Sequence, residues 1–186
     1  MNEKTKTNMD EWEKQYNIDA KASDQKEKYV KWKFETDNCL GLKMIKMDFK
    51  HIISRICWHS KGDYFATMAH NIQTSSQVLI HSLSRSNSTR PFNNSKGIIQ
   101  AICFHPTKPH FFACTHIKVF QYNLQKQSVV ATFQSGAQWI SSISCHPGGD
   151  NFILGTYDRK IVWFDVDMGS KPYKNLKYHD KAIRNV

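Results

Sequence analysis

Hydrophobic residues along this chain fall into short runs broken by Gly, Pro, Asp and Ser, and the runs repeat. Three stretches align: "IISRICWHSKGDYFATM" over Ile52–Met68, "IIQAICFHPTKPHFFACT" over Ile98–Thr115 and "WISSISCHPGGDNFILGT" over Trp139–Thr156. In each, isoleucines stand three and six residues before a histidine: Ile56 and Ile53 before His59, Ile102 and Ile99 before His105, Ile143 and Ile140 before His146. A short turn follows each histidine (60–63, 106–109, 147–150), then an apolar run (Tyr64–Met68, Phe111–Cys114, Phe152–Leu154). A further apolar run closes each unit, in "QVLIHSLS", "IKVFQYNL" and "KIVWFDVD". Branched and aromatic residues in short runs, with turn formers at the joints, predict a string of β-strands per unit.

The three histidines lie 46 and 41 residues apart, a period that marks β-propeller blades. The odd spacing within Ile53/Ile56 and Ile99/Ile102 puts apolar side chains on both pleat faces, as strands packed between neighbouring sheets require. The expectation is an all-β fold, a partial propeller of about three blades plus the start of a fourth, occupying residues 39–186. The blades are placed near 51–84, 96–124 and 137–167, with the next beginning at 179. So few blades leave strand edges and blade faces uncovered, so the chain reads as a fragment (a truncated product, a partial gene product or a degenerate copy) and is expected to be poorly soluble or oligomeric. Residues 1–38 are dense in charge and read as a charged linker or exposed helix, with Trp12, Tyr16 and Ile18 available to dock a partner. Within and just after that segment, "YVKWKF" alternates Val30, Trp32 and Phe34 as a strand does, and "LGLKMIKMDF" reads as the last strand before the first full repeat. "SRSNSTRPFNNS", Ser84–Ser95, is expected to be a mobile, exposed polar connection between blades.

Charge narrows the partners. The net charge is +10, with +1 over residues 1–50 and +9 over residues 51–186, so the basic excess belongs to the folded part and favours an anionic partner such as nucleic acid. Candidate RNA-phosphate contacts are Arg85, Arg90, Arg159, Lys160, Lys171, Lys174, Lys177, Lys181 and Arg184. The sequence shows no run of aromatics that would mark a base-stacking platform, so backbone contacts with little selectivity are expected. No run approaches the length of a membrane span, the amino terminus has no secretory signal, and no membrane partner is expected. The five cysteines include no CxxC pair, and Cys57, Cys103 and Cys145 sit in apolar stretches, as buried thiols of a reducing compartment do; disulfide and zinc readings stay open.

The chemistry that "SISCHPGGDNFILGTYDRKIVWFDVD" advertises dissolves into the repeat. A histidine found once per unit is a turn residue rather than one catalytic base, and His59, His105 and His146 would lie too far apart to share a metal. Gly148 and Gly149 serve a turn, Ser142 and Ser144 lie on a strand, and no catalytic residue, metal ligand or cofactor site is expected.

The same stretch resembles a WD repeat in "GTYDRKIVWFDVD", with Asp158 at the tight turn and Phe164–Asp165 in the place of the Trp–Asp dipeptide. The resemblance implies structural roles for Asp158 and for His179, which matches the repeat's entrance histidine. That entrance slot holds Phe49, Ser95 and Gly136 in the three units, and the Asp slot holds Asn71 in the first and is lost near Ile117 in the second. The longer strings "WHSKGDYFATM", "SQVLIHSLSRS", "WISSISCHPGGDN" and "GTYDRKIVWFDVDMGSKPYKNLKYHDKAIR" resemble the carboxy-terminal WD-repeat region of the block-of-proliferation (Bop/Erb-type) family, over about Leu42–Val186. That resemblance implies a non-catalytic scaffold of the nucleus and nucleolus in precursor rRNA processing and large (60S) ribosomal subunit maturation. Its implied partners are a pescadillo-type protein, a second WD-repeat protein, the pre-ribosomal particle and rRNA. Within the residues read, no counterpart of the family's long amino-terminal region, which engages pescadillo, is expected, and "AIRNV" is expected to lie inside the first strand of a repeat. The competing expectations are a WD-repeat adaptor of another pathway and a non-functional truncated copy.

Overall fold

The computed structural model describes residues 29–37, 42–69, 76–92 and 97–186. Among them are strands and no helix: β1 (Val30–Asp37), β2 (Leu42–Phe49), β3 (Ile53–Trp58), β4 (Tyr64–Ala69), β5 (Val78–Ser82), β6 (Asn87–Thr89), β7 (Ala101–Phe104), β8 (His110–Cys114), β9 (Lys118–Asn123), β10 (Ser128–Gln134), β11 (Ile140–Cys145), β12 (Asn151–Thr156), β13 (Ile161–Asp165) and β14 (Lys174–Leu176). The last twelve form three antiparallel four-stranded sheets, β3-β4-β5-β6, β7-β8-β9-β10 and β11-β12-β13-β14. β1 and β2 form a separate hairpin.

The sheets are copies of one another down to single bonds. The turn histidine donates its backbone N–H to the first residue of the second strand in every blade: His59 to Tyr64 O, His105 to His110 O and His146 to Asn151 O, at 2.8–3.0 Å. A second tie links the third strand's end to the first turn, from Leu83 N to Asp63 O, Leu124 N to Pro109 O and Val166 N to Asp150 O. A register shift falls at the same point of the first strand in blades 1 and 3, between Ile53 and Arg55 and between Ile140 and Ser142. The first strands of successive blades lie side by side. This is a partial β-propeller.

Apolar burial joins the blades face to face. One core fills the space between blades 1 and 2, with Ala66, Met68, Val78 and Ile80 against Ile102, Phe104, Phe111 and Ala113. A second lies between blades 2 and 3, with Phe112, Cys114, Val119 and Phe133 against Ile140, Phe152, Leu154 and Phe164. Adjacent residues Phe111 and Phe112 on β8, both fully buried, point into different cores, as the two-residue period of a strand demands. Each such ring stabilises the stack by about 1.5–3 kcal/mol.

The structure moves several boundaries. Each blade runs past the limit read from the sequence because a fourth strand (β6, β10, β14) lies on the outside: β6 and β14 are three residues long and mostly exposed, leaving no apolar run to betray them, while β10 is seven residues long and buries only Phe133 fully. In particular, Asn87–Thr89 in the supposed mobile connection pairs with β5, and Phe92 beyond it is buried. Residues 30–37, inside the segment read as linker or exposed helix, form β1, as the alternation of "YVKWKF" indicates. The Trp12, Tyr16 and Ile18 docking reading, Cys39, Asn71 and Ser95 lie outside the described residues.

The hairpin shields only part of blade 1. Trp32 and Phe49 pack edge-on against His81, with ring centroids 6.1 and 5.6 Å apart. The inner strand stays bare: Ile52 (83%), Ile56 and Trp58 are exposed, so β3 alternates where its counterparts are buried on both faces.

Candidate nucleic-acid interface

The recurring histidines are turn residues. His59 Nδ1 accepts from Lys61 N at 3.2 Å, His105 Nδ1 from Thr107 N and Lys108 N at 3.2 and 3.0 Å, and His146 Nδ1 from Gly148 N at 3.1 Å. Burial, with Lys61 nearby, lowers the His59 pKa, and burial, with Lys108 and His110 nearby, lowers that of His105. A ring nitrogen that accepts from backbone cannot hold a proton without losing those bonds, so the geometry also favours the neutral form. His59 meets Phe104 of the next blade edge-on at 5.3 Å, and His105 lies against Gly149 of the blade after that. The histidines therefore also set the spacing between blades.

A fourth histidine, which the repeat does not single out, holds the most connected polar site. His81 on β5 is fully buried; its Nε2 is 2.8 Å from Thr67 Oγ1 and its Nδ1 2.8 Å from Ser88 Oγ. Ser88 in turn accepts from Trp32 Nε1 at 2.9 Å, and Phe65 stacks on the imidazole at 4.7 Å. Strand register puts His81, Tyr122 and Phe164 at one position in the three blades, the slot of the Trp in the Trp–Asp dipeptide. Desolvation lowers the His81 pKa to about 4. Sequence reasoning passed over this residue because "VLIHS" reads as one apolar strand.

The Asp158 turn works differently from expectation. Thr156 makes its backbone bonds: Oγ1 donates to Lys160 O at 2.8 Å and accepts from Lys160 N at 3.0 Å. Asp158 pairs with Lys160 Nζ at 2.5 Å. Burial opposes ionisation of Asp158, but the Lys160 ammonium and the Thr156 hydroxyl beside it hold its carboxyl below the ordinary value. His179, expected to anchor a buried polar set, is exposed instead. The next repeat engages through Ile183, which is buried, donates its N–H to Thr156 O at 3.1 Å and accepts from Ser141 Oγ at 2.5 Å. It continues the series Ile53, Ile99 and Ile140, so spacing from Ile140 could have located it.

The nine candidate phosphate contacts do not converge on one patch. Arg85, Arg159, Lys171, Lys174, Lys177, Lys181 and Arg184 are exposed. Lys160 is held by Asp158, and Arg90 lies over the Tyr29 ring at 5.1 Å. Lys171, Lys174 and Lys177 follow the outer edge of blade 3 along β14, while Lys181 and Arg184 flank Ile183. Arg55, which the sequence presents as an interruption in an apolar run, reaches from blade 1 to blade 3 and donates from Nη2 to Ser141 O at 2.7 Å.

The structure also assembles aromatic residues that the sequence scatters. The His116 and Trp139 rings stack at 4.4 Å and 19°, and Tyr157 meets Trp139 edge-on at 5.8 Å. The sequence shows no run of aromatics, yet the β11–β12 pairing of blade 3 sets Trp139 beside Tyr157, and the stacking of blade 2 on blade 3 adds His116.

The described cysteines are free, and Cys57, Cys103 and Cys145 are half-buried rather than buried. They line an open cavity of about 860 Å³ between the first strands of the blades. Cys57 Sγ donates to Trp58 O at 3.8 Å and Cys103 Sγ to Phe104 O at 3.3 Å, and the interaction of the two thiols lowers the Cys57 pKa and raises that of Cys103. Burial pushes the Cys145 thiol up to about 11 and raises Cys114 further.

The chain shares 49% identity over 134 residues, 72% of its length, with the ribosome biogenesis protein erb1 of Schizosaccharomyces pombe. It shares 46% over 134 residues with the ribosome biogenesis protein bop1 of Danio rerio, and 45% over 143 residues, 77% of its length, with erb1 of Botryotinia fuckeliana. Over about three quarters of its length, the chain is a homologue of the Erb1/Bop1 ribosome biogenesis proteins. It spans 17–19% of the length of these relatives. No family model matches it. Identity at this level, across blades whose registers repeat, makes the propeller of this Erb1/Bop1 homologue a WD-repeat one.

Proposed function

We propose that this chain serves ribosome biogenesis as a non-catalytic scaffold, acting in precursor rRNA processing and large (60S) subunit maturation in the nucleolus and nucleus. The observation that carries the reading is the 49% identity to a ribosome biogenesis protein. Support comes from the blades, whose histidines recur at equivalent turns and accept from backbone N–H groups there. The partners are a pescadillo-type protein and a second WD-repeat protein on the pre-ribosomal particle, with rRNA phosphates met by the exposed lysines and arginines of blade 3. Affinity purification of the tagged chain from eukaryotic cells tests this. Pre-ribosomal particles carrying large-subunit precursor rRNA are the expected co-purifying species, and recovery of an unrelated complex would refute it. Direct RNA contact is tested separately: affinity should fall steeply between about 50 and 200 mM salt, and a flat response would remove RNA from the reading.

A further inference from the structure

One rim of blades 2 and 3 carries an organised aromatic surface that no turn or core requires. Trp139 is 45% exposed, Tyr157 48% and Ile117 48%, although large apolar groups elsewhere between these blades are buried. The three are locked in place by backbone: Tyr157 N donates to Trp139 O at 2.9 Å, Ile140 N to His116 O at 2.8 Å and Ser135 N to Ile117 O at 3.2 Å. His116, stacked on the indole, is itself fixed by Gln100 Nε2 at 3.0 Å from its Nε2. The platform is therefore rigid before anything binds, which lowers the cost of ordering it on association.

Charge around the platform is mostly positive. Arg159, two residues beyond Tyr157 at the tip of the same turn, is exposed and held at φ 66°. Lys181 and Arg184 are exposed on the segment that Ile183 bonds to Thr156, the residue before Tyr157. Asp158 in this turn is neutralised by Lys160, and Asp180 is an exposed acid on the incoming segment. A half-exposed indole, backed by His116 and flanked by Tyr157 at 73°, beside cations selects an occupant that is both planar and anionic. A nucleotide of a single strand has both properties, and stacking on an aromatic face is how such bases are held.

We propose that Trp139, walled by Tyr157, forms a stacking platform for an unpaired base of single-stranded RNA, with Arg159 taking the adjoining phosphate. This rests on the reading that the chain contacts RNA, and deepens it by naming a site and a preference for unpaired strands.

The test uses the full chain and two fluorescein-labelled probes of equal charge: an oligouridylate of about 20 nucleotides and its abasic counterpart with the same phosphates. The oligouridylate should bind about tenfold more tightly, from one stacked base. Trp139→Ala should erase that difference while leaving abasic binding and the salt slope unchanged, and Trp139→Phe should keep part of it. Arg159→Ala should weaken both probes and flatten the salt slope. Equal binding of both probes with no effect of Trp139→Ala overturns the platform but leaves phosphate contact standing. Absence of binding to either probe at about 50 mM salt overturns both. Loss of a co-purifying protein in Trp139→Ala, with the probe ratio unchanged, identifies a protein-docking surface and also overturns the proposal.

Discussion

Gly149→Ala is the sharpest probe of how the blades meet. Gly149 sits in the first turn of blade 3 at φ 85°, in the left-handed region, where an L side chain costs about 1–2 kcal/mol. A Cβ built there would lie 2.4 Å from Cε1 and 2.9 Å from Nε2 of His105, on the neighbouring blade. The imidazole cannot simply turn away, because its Nδ1 accepts from Thr107 N and Lys108 N. Overpacking of this kind adds about 1–3 kcal/mol, for a total loss of about 2–5 kcal/mol. Gly62 is the internal control: its φ is 75°, but nothing lies within 4 Å of its added Cβ, so Gly62→Ala should cost only the backbone share. Urea denaturation followed by tryptophan fluorescence gives each value, and the cycle with His105→Ala isolates the steric part. In the His105→Ala background the cost of Gly149→Ala should drop to that of Gly62→Ala. If Gly149→Ala costs no more than Gly62→Ala, or its cost is unchanged without the imidazole, the inter-blade contact is not what the structure shows.

Three further outcomes are expected. The His81 pKa of about 4 lies below the ordinary 6.5, so the unfolded chain takes up the proton first. Stability is then complete above about pH 6.5 and declines toward pH 4 by up to about 3 kcal/mol, and the decline should be smaller in His81→Phe, which copies Phe164 at the same register. Thr156→Ala removes both hydrogen bonds that close the β12–β13 turn and should cost about 1–3 kcal/mol, more than Asp158→Ala, which removes an ion pair; equal losses in thermal melts would contradict this assignment. Iodoacetamide near pH 7.5, read by peptide mass spectrometry, should label Cys57 before Cys114, because the Cys103 thiol favours the Cys57 thiolate while burial disfavours that of Cys114.

The inner three strands of every blade were legible because their partners are apolar and continuous in sequence: β4, β5 and β8 are apolar runs with turn formers at their ends. The outer strands were not, since β6 and β14 are three residues each and mostly exposed, and their pairing depends on the strand they lie beside. The turn role of His59, His105 and His146 followed from recurrence, whereas that of His179 did not: it is exposed, and Ile183 makes the junction with blade 3. The candidate phosphate contacts were found by charge alone, so nothing in the sequence could say that Lys160 is already paired.

Sequence by itself determined the blade: its strand order, its turn histidine and the two apolar faces of its inner strands, all of them short-range features written within about 40 residues. Tertiary structure alone decided what happens between blades. His105 against Gly149, Arg55 on Ser141, Trp32 on Ser88 and Trp139 on His116 each join residues of different sheets, whose side chains no local pattern brings together. The reason is that face-to-face packing is set by shape and distance across two sheets, which a linear pattern of polar and apolar positions does not encode.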